Sequence, residues 1–199
     1  MDSTKWEIAQ AAARRVVDDG MAWGAAKRHA AEDLGLSPRT ALPDNDMLLE
    51  AVKEHISIFC AEEQAQALLA LRQLACTWMQ RMTEFRPHIT GAVWLGVATH
   101  WSDIHLDLYC DDTKMPAIAL LNHGQAFDTS QTTDSKGHDL EQLVVLERLP
   151  GWHTGVAVIM TVRDADDLRG AIRADPHSGV APRGDLAALQ RILESEHHG

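Results

Sequence analysis

Asp103, His105 and Asp107 stand two residues apart in the run SDIHLDLYC, interleaved with Ile104, Leu106 and Leu108. In an extended chain this alternation sends the aliphatic side chains to one face and the three ligand-type side chains to the other. Neighbours on one face of a strand lie about 6–7 Å apart, so Asp103 and His105 can share one cation, and Asp107 can help only if the strand bends. Carboxylate oxygens suit magnesium or manganese, whereas the imidazole moves the preference toward zinc or another transition metal. The same alternation also describes a half-buried strand whose outer face is merely wet.

His100 precedes Asp103 by three residues, so His100, Asp103 and His105 could converge where a connection meets the strand, as metal ligands or as a base near pH 7. A histidine-assisted metal hydrolase built there would need one more ligand from a loop, for which Asp128, His138 and His153 are the candidates. Covalent catalysis has no support: G-x-S-x-G and H-E-x-x-H are absent, and no cysteine sits in an evident Cys-His arrangement.

The elements that must position these residues follow from periodicity. Apolar positions at helical spacing predict helices over residues 4–18 and 22–34, closed by Gly20 and Gly35. Within the second, Lys27, Arg28 and His29 form a basic cluster read as a solvated face, since Glu32 and Asp33 follow at once. Residues 37–45, SPRTALPDN, form the clearest linker. Long helices are expected over 46–60 and 61–85, with Trp78, Met79 and Met82 as core filling. Arg86-Pro87 breaks the second of these, leaving His88 as a capping or surface residue.

A strand is expected over 89–95, ending near Gly96, and a second from Ser102 onward. Asp111 and Asp112 should cap a helix over 114–122. Strands at 125–129, 140–149 and 154–162 follow, with 130–139 as a polar turn. The run GVAVIMTV is apolar on both faces, as in a strand buried on both sides. Helices over 164–173 and 184–194 close the chain, joined by a Pro- and Gly-rich loop. The expected organisation is a helical hairpin over 1–36, a linker over 37–45 and an α/β domain over 46–199 that includes two leading helices.

Composition narrows the function classes. With 29 acids against 18 bases, the net charge of −11 argues against a general affinity for nucleic-acid backbone, though a local basic groove remains open. The three cysteines are widely spaced without CxxC, which implies neither a disulfide framework nor a structural zinc site and points to a cytoplasmic protein. No stretch approaches the roughly 18 continuous apolar residues of a membrane span, so no membrane partner is expected.

A glycine closing a strand, a short connection, and then Ser-Asp-hydrophobic-X-hydrophobic resembles the core of the nucleotidyltransferase superfamily, the polymerase-β-like fold, whose motif is Gly-Ser followed by Asp-X-Asp. The matching positions are Gly96, Val97, Asp103 and His105. AKRHAAEDLGL, ALPDN, MTEFRPHITGAVWLGVATHWSDIHLDLY and RGDLAALQRIL are further similar to a group of small bacterial nucleotidyltransferase-domain proteins, some labelled UDP-N-acetylmuramate–alanine ligase. No G-x-x-x-x-G-K-[ST] phosphate loop supports that ligase activity.

The resemblance implies a mixed α/β (α+β) domain with a mostly antiparallel or mixed sheet and an amino-terminal helical extension. It also implies binding of a divalent metal and a nucleoside triphosphate. Asp103 would be the principal metal ligand and catalytic group, with His105 or Asp107 as a second, and the backbone of Gly96, Val97 and Thr99 would approach phosphate. The chain departs from the family at Val97 in place of serine, at His105 in place of the second carboxylate, and at 155–162, which holds no acid for the third. Two expectations follow: metal-dependent nucleotide binding or nucleotidyl transfer at a degenerate site, or a catalytically inactive interaction or scaffold protein on the same fold, with a protein partner.

Overall fold

Alternation in the run from Ile104 to Cys110 does produce a strand, and it becomes an interior strand of a six-stranded mixed sheet. A computed structural model describes residues 3–134, 137–168 and 181–196. The chain belongs to the mixed α/β class and divides into two compact units, Met1–Leu68 with Val97–Trp101, and Leu69–Gly96 with Ser102–Gly199.

The first unit is helical. Helices α1 (Ser3–Asp19), α2 (Trp23–Asp33) and α3 (Asn45–Phe59) pack together, and α1 touches both of the others. The buried stripe of α1, Ile8, Ala9, Ala12, Ala13 and Val17, is mostly alanine, which lets backbones approach closely. Asp44 caps α3 by accepting from the Met47 amide at 2.8 Å, so the expected linker ends in a cap. Gly20 is left-handed and lies against Trp101, where a Cβ would come within 2.6 Å of the Trp101 Cβ.

The second unit holds the whole sheet. Its strands are β1 (His88–Thr90), β2 (Ile104–Cys110), β3 (Asp128–Thr133), β4 (Asp139–Glu147), β5 (Val156–Asp164) and β6 (Arg183–Asp185), in the order β3-β4-β5-β2-β1-β6. Among the described residues, only β2 and β5 run parallel. One row of partners, Gly184, Ile89, Leu106, Met160 and Leu143, crosses five strands, and its four apolar side chains are buried. Beside it on the opposite face runs a polar row across all six strands: Asp185, His88, Asp107, Thr161, Gln142 and Ser130.

Helices fasten to the apolar face through a few polar anchors. Helix α4 (Ala61–Arg81) passes through the boundary between the units. In the second unit its buried Arg72 donates to the Val93 carbonyl of α5 (Gly91–Leu95) and pairs with Glu196 at the end of α7 (Leu186–Glu196). Trp78 donates to Glu147 of β4 at 3.0 Å. Helix α6 (Met115–Asn122) follows β2, and no helix among the described residues is long and apolar enough to cross a membrane.

Several expectations need correction. Residues 89–95 are not one strand: β1 ends at Thr90, Gly91 turns the chain with φ 69°, and α5 follows until Gly96 caps it with φ 79°. Two left-handed glycines five residues apart cut an apolar run that period alone cannot divide. Helix α4 stops at Arg81, before a 3-10 turn at Thr83–Phe85. Of the two acids expected to cap α6, Asp112 takes the Lys114 amide at 3.0 Å, but Lys114 itself holds the cap position without a side-chain bond. Strand β3 extends through Ser130–Thr133, where a polar turn is expected, because Thr-rich sequence tolerates an exposed edge. The stretch expected as a Pro- and Gly-rich loop ends in β6, and the helix expected over 164–173 starts as a 3-10 turn at Ala165–Leu168, with its remainder outside the described residues.

The short strand β6 is seated by close packing: the Trp94 indole donates to the Ala181 carbonyl at 2.7 Å and its six-membered ring lies against Gly184. A Cβ there would meet the ring at 2.2–2.8 Å. Gly184→Ala is expected to lower stability by about 1–3 kcal/mol through overpacking. Gly155→Ala, where a Cβ would stand 3.5 Å from the Glu147 carbonyl oxygen, should change it by less than about 0.5 kcal/mol. Urea unfolding of both variants measures the difference.

Candidate functional site

Pairing register decides which side chains meet on the polar face. β1 sets His88 opposite Asp107 and Thr90 opposite His105, while β5 sets Thr161 opposite Asp107 and Arg163 opposite Tyr109. β6 adds Arg183 opposite Thr90. The result is a cluster that joins four adjacent strands around one carboxylate.

That carboxylate is Asp107, which is 4% exposed. Its Oδ1 accepts from Arg163 Nε at 2.8 Å, and its Oδ2 lies 2.8 Å from Arg183 Nη1. Arg183 Nη1 also donates to the Tyr109 hydroxyl, and Arg183 Nε is buried with no hydrogen-bond partner among the described residues. Burial opposes the Arg163 charge, but the hydrogen bond and charge of Asp107 outweigh it and hold its pKa above the ordinary value. Burial, and next the Asp107 charge, push the Tyr109 phenol upward against the two arginines. His88 meets Tyr109 edge-on at 5.3 Å and donates from Nδ1 to the Arg86 carbonyl at 2.9 Å. Since a carbonyl only accepts, that nitrogen carries the proton. His88 is 5% exposed, so it is neither a cap nor a surface residue.

The other expected ligands are placed differently. Asp103 lies just before β2, and its Oδ1 accepts from the Ala157 amide of β5 at 3.0 Å, latching the start of one strand to the next. His105 is exposed beside Gly91, where a Cβ would come within 3.6 Å of the imidazole Cδ2. Desolvation of the ring lowers the His105 pKa and outweighs the Asp103 and Asp107 charges, which raise it.

The expected phosphate-approaching backbone is divided. Gly96 caps α5 in the second unit, whereas Val97 and Thr99 are buried in the first. There the Ala98 carbonyl accepts from Gln64 at 2.9 Å and the Thr99 hydroxyl accepts from the Trp101 amide at 3.3 Å. The glycine that closes a strand is Gly91, not Gly96. His100 also belongs to the first unit, its ring tilted against Trp101 with centroids 4.5 Å apart. Asp128 lies on the edge strand β3, and His138 pairs with Asp134 in the turn before β4.

Two divalent cations about 4 Å apart would need carboxylate oxygens that are not otherwise engaged. Both oxygens of Asp107 face guanidinium groups, and one oxygen of Asp103 holds a backbone amide, so these residues do not fit such a pair. Among the described residues, no group of three or more His, Cys, Asp or Glu side chains is placed to hold a metal ion. Sequence reasoning missed Arg163, Arg183 and Tyr109. The one local signal was Arg163, which continues the period-two pattern beyond Thr161. Compared with known proteins, the chain matches no family model and no curated protein.

Removing the Asp107 charge leaves two guanidinium groups facing each other. Asp107→Asn is expected to cost about 2–4 kcal/mol in urea unfolding, below the fully buried case because each arginine side chain is about one-fifth exposed. A second expectation concerns acid. A histidine whose pKa is depressed by folding binds protons more readily when unfolded, so its contribution is intact above the unfolded pKa of about 6.5 and declines as pH falls through the folded value. His105→Gln should therefore flatten the loss of stability between about pH 7 and 5, and NMR titration should place the His105 pKa below that of a free imidazole.

Proposed function

We propose that this protein is a nucleotidyltransferase-like domain that acts by binding, as an interaction module, and no longer transfers nucleotidyl groups. The observation that carries this reading is the engagement of Asp107 by Arg163 and Arg183. In a two-metal site, carboxylates on neighbouring strands supply the negative charge that holds the cations and offsets charge developing on phosphate. Here β5 lies directly beside β2 and brings Thr161 and Arg163 to that face. A guanidinium beside the carboxylate repels a divalent cation and satisfies the oxygen that would have bound it. The resemblance over residues 82–109 supplies the family frame, and Val97 and His105 stand where that family has serine and a second carboxylate.

A second reading is favoured by His105. Its exposed imidazole, whose pKa desolvation lowers, sits two residues from Asp103 and suits a single transition-metal ion carrying a nucleotide.

One titration separates the two. Metal-stripped protein is titrated calorimetrically with magnesium, manganese and zinc, each with and without ATP, CTP, GTP and UTP. The binding-module reading expects no saturable heat and no nucleotidyl transfer from α-labelled triphosphates. Saturable binding lost in Asp103→Ala, with unfolding otherwise like the wild type, would replace it with the second reading.

A further inference from the structure

A cleft of about 350 Å³ opens in the second unit, away from the polar face of the sheet, lined by Trp78, Arg81, Met82, Leu120, His123 and Gln125. Its walls come from the end of α4 and from α6 with the turn after it. Met82 and Leu120 supply an apolar floor that is almost fully buried. The Arg81 guanidinium lies over the Trp78 indole, 4.9 Å from the ring centroid. We propose that this cleft binds a small aromatic carboxylate, its ring on Met82 and Leu120 and its carboxylate on Arg81.

Charge selects the anion. Glu147 is the acid beside Arg81, but its Oε1 already accepts from Trp78 Nε1 at 3.0 Å and stands 3.9 Å from Arg81 Nη1, beyond hydrogen-bond distance. The guanidinium, 54% exposed, therefore keeps donors for a ligand, and an aligned carboxylate takes two of them in parallel.

The rim is already shaped. His123 and Gly124 donate their amides to the Ala119 and Leu121 carbonyls, Gln125 donates to Leu120, and Gly124 takes the left-handed conformation that such a helix end requires. Gln125 Nε2 is turned to the Ala126 carbonyl at 3.1 Å. A preformed rim saves the ordering cost that weakens small-ligand binding. Ligand pockets span about 300–1,000 Å³, so a cleft at the lower end takes one ring and its acid, and is too small for a nucleotide.

The test uses the full chain and isothermal titration calorimetry with benzoate and phenylacetate, against neutral benzyl alcohol and cationic benzylamine. We expect one-to-one binding of a carboxylate below about 1 mM and at least about tenfold weaker binding of the alcohol and the amine. Arg81→Gln, an exposed change, should weaken the carboxylate about tenfold, and Gln125→Trp, on the rim rather than in the core, should abolish binding. Thermal melts establish that both variants fold. Absence of saturable carboxylate binding overturns the proposal, as does equal binding of the alcohol or wild-type affinity in both variants. Neither position belongs to the face that carries Asp103 and Asp107, so the outcome is independent of the metal and nucleotide titration.

Discussion

A carboxylate on an interior strand, withdrawn from water, is the constraint around which the sheet is arranged. Asp107 is 4% exposed, and a buried charge of that kind persists only when it is paired and hydrogen-bonded. Its partners come from β5, immediately beside it, and from β6, beyond β1. One side chain thereby ties a parallel neighbour to an antiparallel edge. A three-residue edge strand has too short a ladder to hold its own place. β6 stays because Arg183 reaches Asp107 and Tyr109 on one face while Gly184 receives Trp94 on the other.

The two faces of the sheet solve opposite problems with the same periodicity. On one, Ile89, Leu106, Met160 and Leu143 line up across adjacent strands and take helices through Arg72 and Trp78. On the other, Gln142 donates to Thr161 at 3.1 Å and Ser130 to Gln142 at 3.3 Å, continuing toward β3 the polar row that Asp107 centres. Thr161 and Asp107 on this row are matched sideways, strand to strand, while His88 is satisfied by the Arg86 carbonyl just before β1.

This division explains what the sequence could and could not reveal. The alternation from Ile104 to Leu108 was legible because period two is local, and the helices of the first unit were legible from alanine spacing and glycine stops. Strand β1 and helix α5 were not separable, since only the backbone angles at Gly91 and Gly96 distinguish a broken strand from a continuous one. Strand β6 was hidden because its pairing with β1 links residues almost a hundred positions apart. The site was half legible for the same reason. Asp107 was recognisable as a polar group on the ligand face, but whether it meets a cation or a guanidinium depends on Arg163 and Arg183, which register alone brings to it.

Overall charge points the wrong way for this site. A chain of net charge −11 would be expected to attract cations broadly, yet two guanidinium groups converge on the buried Asp107 carboxylate of the polar face. Local fields are set by groups within a few ångströms, where reduced dielectric strengthens each term and screening is weak. Asp167 supports the Arg163 charge from the turn after β5, and His105 is biased toward its neutral form. Two guanidinium groups thus hold the one carboxylate between them, which fixes the strands that carry them. Asp-X-His-X-Asp spacing is shared by a metal site and an ion-paired strand, and here it is the arginines of β5 and β6 that engage Asp107.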